Sequence, residues 1–344
     1  FAQVLPNSIS LNSFQAGMLT LSLYYIAHGV LGFFVILFAG NLYQSIGYQK
    51  TFVFSFLLRC IFFAALYFSK HNPSYLVVAV IFDALNTQLF WAGYYTLLST
   101  TAKRKNMGKD VGILYTLIQI VAVISPAISG FIGFALGIEV LFLIGLALTL
   151  LSSIFAFKLD VPAPKDTVSY AKFRAWLHET RFMKLSFSFA GKYVYDAAIY
   201  LWPLYIFFVL GSVDRVGYLY TVSLFLAVSF TYFIGNYTDT HTSKKPFYFS
   251  GGVLFLITLL RTQVITPLAI ALVDTFDKLT ANVYSVYFDT MFMRRGKGHL
   301  AHSFFIYREM ILNVATVFFW SFAAVFFLFF SGWQALYALA SIGV

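Results

Sequence analysis

Ten of the ionisable side chains inside stretches that are otherwise apolar stand out: His28, Arg59, Asp83, Lys192, Asp196, Asp274, Asp277, Lys278, Arg308 and Glu309. An ionisable group at the centre of a bilayer costs about 2.5–3.5 kcal/mol on insertion scales, so each one needs a partner or a task. Lys192 and Asp196 are four residues apart, as are Asp274 and Lys278, with Asp277 beside them. On a helix such pairs share a face. A pair that breaks when a solute or a proton arrives would couple binding to closure. The same spacing equally serves permanent ion pairs in helix packing. Asp83 shares its stretch with no basic residue, so it either pairs across helices or spends part of a cycle protonated. These six, Asp83, Lys192, Asp196, Asp274, Asp277 and Lys278, are the candidates for solute or proton coupling. Arg59 either snorkels towards water or meets an acid of a neighbouring helix. Arg308 and Glu309 are adjacent, which directs them to different faces. They read as packing or gating charges that each bridge to another helix, and His28 reads as a hydrogen-bonded core histidine.

The elements that hold these groups follow from composition. The chain is 60% hydrophobic and 10% charged, far below the roughly one quarter of charged residues that a water-facing domain carries. Apolar runs recur near the roughly 20 residues needed to cross a bilayer as a helix. They are continuous rather than alternating, which disfavours a β-barrel. Spans are expected at 18–41, 51–69, 75–100, 111–135, 140–157, 183–209, 216–236, 247–263, 266–291 and 301–330. A further span starts at Trp333 and stops at Val344. Residues 1–5 read as the tail of an earlier one, so eleven are visible whole or in part and twelve are implied, with both ends read as truncated. The single cysteine, Cys60, excludes a disulfide framework, and no metal-type spacing or cofactor motif is present.

The net charge of +10 is placed by side rather than by patch, which argues against a nucleic-acid partner. Sixteen Lys and Arg fall in one alternating set of connections, at Lys50, Lys103 to Lys109, Lys158 to Lys184, Lys244 and Lys245, and Arg294 to Lys297. The opposite set holds Lys70, Arg215 and Arg261 alone. That asymmetry assigns loops 41–50, 101–110, 158–182, 237–246 and 292–300 to the cytoplasm of a multi-pass cell-membrane protein. The loop 158–182 divides the chain into a bundle at 1–157 and a bundle at 183–344. Its opening, DVPAPKD, cannot be helical throughout. Ala171 to Phe182 then sets Phe173, Trp176 and Leu177 against Lys172, Arg174 and Arg181, which fits a helix on the membrane surface or a plain tether. His299 and His302 read as part of a solvated basic turn.

The two halves repeat each other. GNLYQSIGYQK at 40–50 matches GNYTDTHTSKK at 235–245 through Gly40 and Gly235, Asn41 and Asn236, and Lys50 and Lys245. Phe52, Phe54 and Ser55 match Phe247, Phe249 and Ser250 beyond it, and Asp83 and Asp274 open corresponding spans. Internal repeats of this kind are a mark of transporters. The loops resemble the signature loop of the major facilitator superfamily, Gly-x-Leu-x-Asp-Arg-x-Gly-Arg-Lys. Gly40, Leu42, Gly47 and Lys50 fit the first copy, where Gln44 and Ser45 replace the Asp-Arg pair. Gly235, Asp239 and Lys245 fit the second, where Thr242 replaces a glycine. SPAISGFIG, with Pro126 and Gly130, is similar to the Pro-x-x-Gly-Gly element of that family's antiporters, with Ser129 for the first glycine.

The resemblance implies an all-α membrane fold of two pseudo-symmetric six-helix bundles, with spans one, four, seven and ten lining a central path. Three of those are visible and hold six of the ten ionisable groups. Gly40, Gly47, Lys50, Gly235, Asp239 and Lys245 become gating-loop candidates. Asp239 could clamp the bundles through Lys244 or Lys245, beside a helix N-terminus. The first copy has no acid, so its latch is expected to be softer or purely packed. Arg59, Arg308 and Glu309 are read as helix-packing or gating charges.

The expected function is secondary transport of a small organic solute by alternating access, with H+ as coupling ion and possible antiport, in a monomer bound to the lipid bilayer. Nothing resembles a Gly-x-x-x-x-Gly-Lys-Ser/Thr phosphate loop, so ATP does not drive it directly. The Arg that the superfamily's proton antiporters often carry in span four has no counterpart at 75–100. Tyr193, Tyr195, Tyr200, Trp202 and Tyr205 on span seven, and Trp91, Tyr94 and Tyr95 on span four, would suit a flat or cationic solute. They stand against a background that is 20% aromatic. Two other classes remain: a transport-dead relative acting as receptor or scaffold, and an integral-membrane enzyme, for which no His, Asp and Glu converge.

Overall fold

A computed structural model describes residues 13–240, 243–330 and 332–344. The stretch 1–12, expected to hold the tail of a span and its polar loop, lies outside the described residues, as does Thr242. Every regular element among the described residues is helical. The α-helices are α1 (Ser13–Ser69), α2 (Tyr75–Thr101), α3 (Met107–Ala135), α4 (Ile138–Ala156), α5 (Tyr170–Leu177) and α6 (Thr180–Leu210). They continue with α7 (Val213–Thr240), α8 (Lys245–Leu260), α9 (Pro267–Arg295), α10 (Ala301–Phe329) and α11 (Gln334–Gly343). Among them α1, α2, α3, α4, α6 and α10 are long and apolar enough to cross a membrane.

The ten-residue loop expected at 41–50 is not a loop. Helix α1 runs on through 46 and resumes at once after Gly47, whose φ of 79° and ψ of 173° make the break. Only glycine reaches that backbone region without strain. The segment LYQSI holds no proline or glycine to stop the helix, so the reversal contracts to one residue. In the same way α7 continues to Thr240, inside the loop expected at 237–246. Short connections of 3₁₀ helix, Arg104–Asn106 and Arg261–Gln263, follow α2 and α8.

The helices gather into two compact units. The first holds α1, α2 up to Gly93, α4 from Phe142, α5, α6 up to Val194, and α10. The second holds the rest of α2, α3, α6 from Tyr195, α7, α8, α9 and the end of α11. Each unit therefore draws helices from both 1–157 and 183–344.

Without a hydrophobic drive between helices in lipid, close packing needs small residues and hydrogen bonds. In the first unit a Cβ at Gly29 of α1 would lie 3.0 Å from the Thr316 and Val317 side chains of α10. One turn on, Gln88 of α2 and Asn313 of α10 exchange side-chain bonds of 3.2 and 2.9 Å. Trp320 stacks on Tyr25 at 4.4 Å and donates its indole N–H to the Tyr193 hydroxyl at 3.2 Å. In the second unit α3 and α7 meet backbone to backbone, since a Cβ at Gly217 would stand 2.5 Å from the Pro126 carbonyl oxygen. Pro126 removes a helical N–H and loosens the turn before it. The Thr221 hydroxyl of α7 donates to the Val123 carbonyl in that turn at 2.7 Å.

The amphipathic segment of the linker is shorter than expected and faces protein. Ser169 caps α5 by accepting from the Lys172 N–H at 3.2 Å. Phe173 is buried against Tyr307 of α10, ring centres 5.5 Å apart, and Trp176 meets the same ring at 5.1 Å. Lys172 and Arg174 stay exposed. A surface-lying helix would instead have turned those rings to lipid.

Candidate functional site

Asp83 pairs across helices. Its carboxylate lies 2.6 Å from Arg59 Nη1, accepts from the Tyr24 hydroxyl at 2.9 Å, and is 3.8 Å from His28 Nε2. Both halves of α1 thus converge on one acid of α2. The Phe62 and Phe63 rings flank the Arg59 guanidinium at 4.5 and 5.2 Å. Arg59 therefore meets an acid rather than snorkelling, and His28, half-buried, borders that cluster.

Helix α9 carries the second cluster. Lys278 lies 2.6 Å from Asp274 Oδ2, as the four-residue spacing suggested. Asp274 Oδ1 accepts the Trp202 indole N–H of α6 at 3.1 Å, and Asp277 Oδ1 accepts the Tyr195 hydroxyl at 3.3 Å. The other Asp277 oxygen is 2.7 Å from Arg261 Nη2. Arg261, expected in an outer loop, is 1% exposed and sits 4.7 Å over the Trp202 ring. The 3₁₀ turn closing α8 folds it inward, where the acid of α9 repays part of its desolvation.

Asp289, overlooked in the sequence, belongs to the same helix. It is buried and accepts the Tyr115 hydroxyl of α3. Gln119 of α3 likewise donates to Asn282 of α9. Asp274, Lys278, Asn282, Ser285 and Asp289 follow the three- and four-residue steps of one helical stripe, which was the available signal. Lys192 and Asp196 are both half-buried on α6, Lys192 in the first unit and Asp196 in the second. Arg308 and Glu309 were expected to diverge; instead Arg308 Nη1 donates to Glu309 Oε1 at 2.8 Å. Arginine is long enough to curl back, and in apolar surroundings the nearest carboxylate is the best partner.

Two latches complete the arrangement, both at helix ends rich in Lys and Arg. In the second unit Asp239, near the end of α7, accepts the backbone N–H groups of Gly108 and Lys109 at 2.8 and 2.6 Å. These are orphan donors of the first turn of α3, where the helix dipole favours an anion. Arg294 of α9 adds a 2.6 Å ion pair. The expected partners, Lys244 and Lys245, are exposed, because α8 starts there with its side chains outward. Gly235 lies in the body of α7.

The latch of the first unit is not merely packed. The linker supplies the missing acid: Asp166 Oδ2 accepts the Ser303 N–H, in the first turn of α10, at 2.7 Å. Gln44, standing where the family pattern has Asp, donates its amide to the Asp166 carbonyl at 2.6 Å. His302 is 1% exposed rather than solvated, its Nε2 3.0 Å from the Gly40 carbonyl. Gly40 itself must be glycine, since a Cβ would meet Val168 of the linker at 2.6 Å. Lys50 is exposed beyond this contact.

A family model described as the Major Facilitator Superfamily matches residues 1–273. No curated protein matches the sequence at a significant level. Among solved structures, the human organic anion transporter MFSD10 (TETRAN) is similar with a TM-score of 0.70 at 12% identity, covering 93% of this chain and 80% of that one. The transporter FucP in its outward conformation gives 0.62 at 13% identity, covering 97% and 90%. A variant of the E. coli fucose:proton symporter FucP gives 0.63 at 10%, covering 96% and 88%. At these identities the structures establish the fold alone, which is the all-helical one expected. With four fifths of its length matched by the family model, this multi-pass membrane chain belongs to the major facilitator superfamily.

Proposed function

We propose that the chain is a proton-coupled secondary transporter of a small organic solute, working by alternating access of two bundles, 1–157 and 183–344. The observation that carries this reading is Asp83, an acid held by Arg59 and Tyr24 from the two halves of α1, with His28 3.8 Å away. Protonation would cancel its attraction to Arg59 and free the two helices. This gives a proton a mechanical consequence. Asp239 and Asp166 serve as latches at the Lys- and Arg-rich ends of their helices, which this reading places in the cytoplasm of the cell membrane. Asp274, Asp277, Lys278, Lys192 and Asp196 are the solute-facing candidates, and the transporter acts as a monomer.

The test is uptake into proteoliposomes under an imposed pH gradient. Wild type should accumulate solute when the gradient is present and stop when an uncoupler collapses it. Asp83→Asn should fold normally and lose gradient-driven uptake by about tenfold or more while exchange of solute down its own gradient persists. Undiminished accumulation by Asp83→Asn would remove Asp83 as the coupling group.

A further inference from the structure

Around Arg261 the second unit has more hydrogen-bond donors than acceptors. Nη2 lies 2.7 Å from an Asp277 oxygen, yet none of the three guanidinium nitrogens has an aligned hydrogen-bond acceptor among the described residues. Nor has the hydroxyl of Tyr220 on α7 or of Tyr337 on α11, and both hydroxyls are enclosed. Arg261 and Tyr337 are 1% and 0% exposed. These groups form one cluster. Tyr337 packs edge-on against Trp202 at 5.7 Å, and Trp202 covers the guanidinium at 4.7 Å. The Lys278 amine, bound to Asp274, stands 3.5 Å over the Tyr220 ring. Both tyrosines lie within electrostatic reach of Arg261.

Buried polar groups are almost always satisfied, so several orphans in one place call for a specific explanation. A carboxylate, the usual partner of a buried guanidinium, takes the Nε and Nη2 fork or the Nη1 and Nη2 fork and can accept from neighbouring hydroxyls with its remaining lone pairs. Tyr205 stacks on Trp202 at 5.2 Å, so the indole lies among the guanidinium and two aromatic rings. We infer that Arg261, Tyr220 and Tyr337 form a binding site for the carboxylate of a small organic acid whose apolar or aromatic body meets the ring cluster around Trp202. The inference deepens the transporter reading and rests on it for the passage of the bound acid across the membrane. Two cations, Arg261 and Lys278, already balance two anions, Asp274 and Asp277. An added carboxylate therefore requires one proton, and Asp277, released from Nη2, is the acceptor on hand. Of the other titratable groups facing Arg261, Tyr195 donates to Asp277 and Lys278 stays on Asp274.

The test uses purified full-length protein in detergent at mildly acidic pH. Thermal unfolding is followed with benzoate and acetate, and with benzylamine and sodium chloride at matched ionic strength. Benzoate should raise Tm by several degrees and acetate by less, with no shift from benzylamine. Arg261→Gln should abolish the shift. The double variant Tyr220→Phe, Tyr337→Phe keeps the rings and their packing, and should bind benzoate about tenfold more weakly. It decides the matter alone if the arginine variant does not fold. A benzoate shift no larger than that of chloride, or one that persists in these variants, overturns the site. Flux of radiolabelled benzoate in proteoliposomes separates the two readings. Binding without flux leaves the site and removes the transporter. Accumulation of another solute by a protein that ignores carboxylates removes the site and leaves the transporter.

Discussion

Asp83, Asp274, Asp277 and Glu309 each pair with a basic residue, and the pairs differ in how deeply the protein covers them. Asp83 and Arg59 are partly exposed, at 15% and 35%, which suits a pair that opens and closes. Arg261 and Asp277 are shut away at 1% and 4%. Removing one partner of such a buried pair strands the other, typically at a cost of about 3–5 kcal/mol. Asp277→Asn should therefore lower the unfolding temperature strongly, and Arg261→Gln in the same chain should recover much of the loss. Two losses that simply add, measured by thermal unfolding of both singles and the double, would show that the residues act independently.

Elements decide which of these residues meet. Asp166 lies in a proline-bearing connection, yet it does for α10 what Asp239 does for α3, accepting backbone N–H groups of a first helical turn. Asp166→Ala should expose 158–169 to limited proteolysis and cost about 1 kcal/mol of stability. An unchanged digestion pattern would show that the linker is held by α5 alone.

The legible and the illegible divide along the same line. Spans and the Asp274–Lys278 pair are written in composition and local spacing, so they could be read from one sequence. Arg261 follows the apolar run of α8 and looked like a loop charge, because its burial depends on α6, α9 and a 3₁₀ turn. His302 and Asp166 escaped for the same reason, since each is defined by contacts more than 130 residues away. Asp289 is different. Its stripe was present in the sequence, four turns along α9 from Asp274, and counting the helical steps further would have found it.

At the scale of the whole molecule, the compact units and the sequence halves do not coincide. In the second unit α3, from the first half, lies directly against α7 and α9, from the second. On the proposed cycle such contacts must loosen and re-form, and the backbone contact of Gly217 with Pro126 is where the tolerance is smallest. Gly217→Ala should destabilise the protein by about 1–3 kcal/mol through overpacking, seen as a lower unfolding temperature. It should also slow uptake beyond what stability explains. Normal rates with a normal unfolding temperature would mean that α3 has room to back away.

The linker also bears on how the protein can be divided. Because Asp166 to Phe173 clasps α1 and α10 by side-chain and backbone contacts, it does not need to be continuous with both neighbours to stay in place. Two polypeptides produced together and separated near Pro162 to Pro164 should therefore find each other in the membrane and co-purify. A break between Ser169 and Trp176, which cuts through the clasp, should leave them apart.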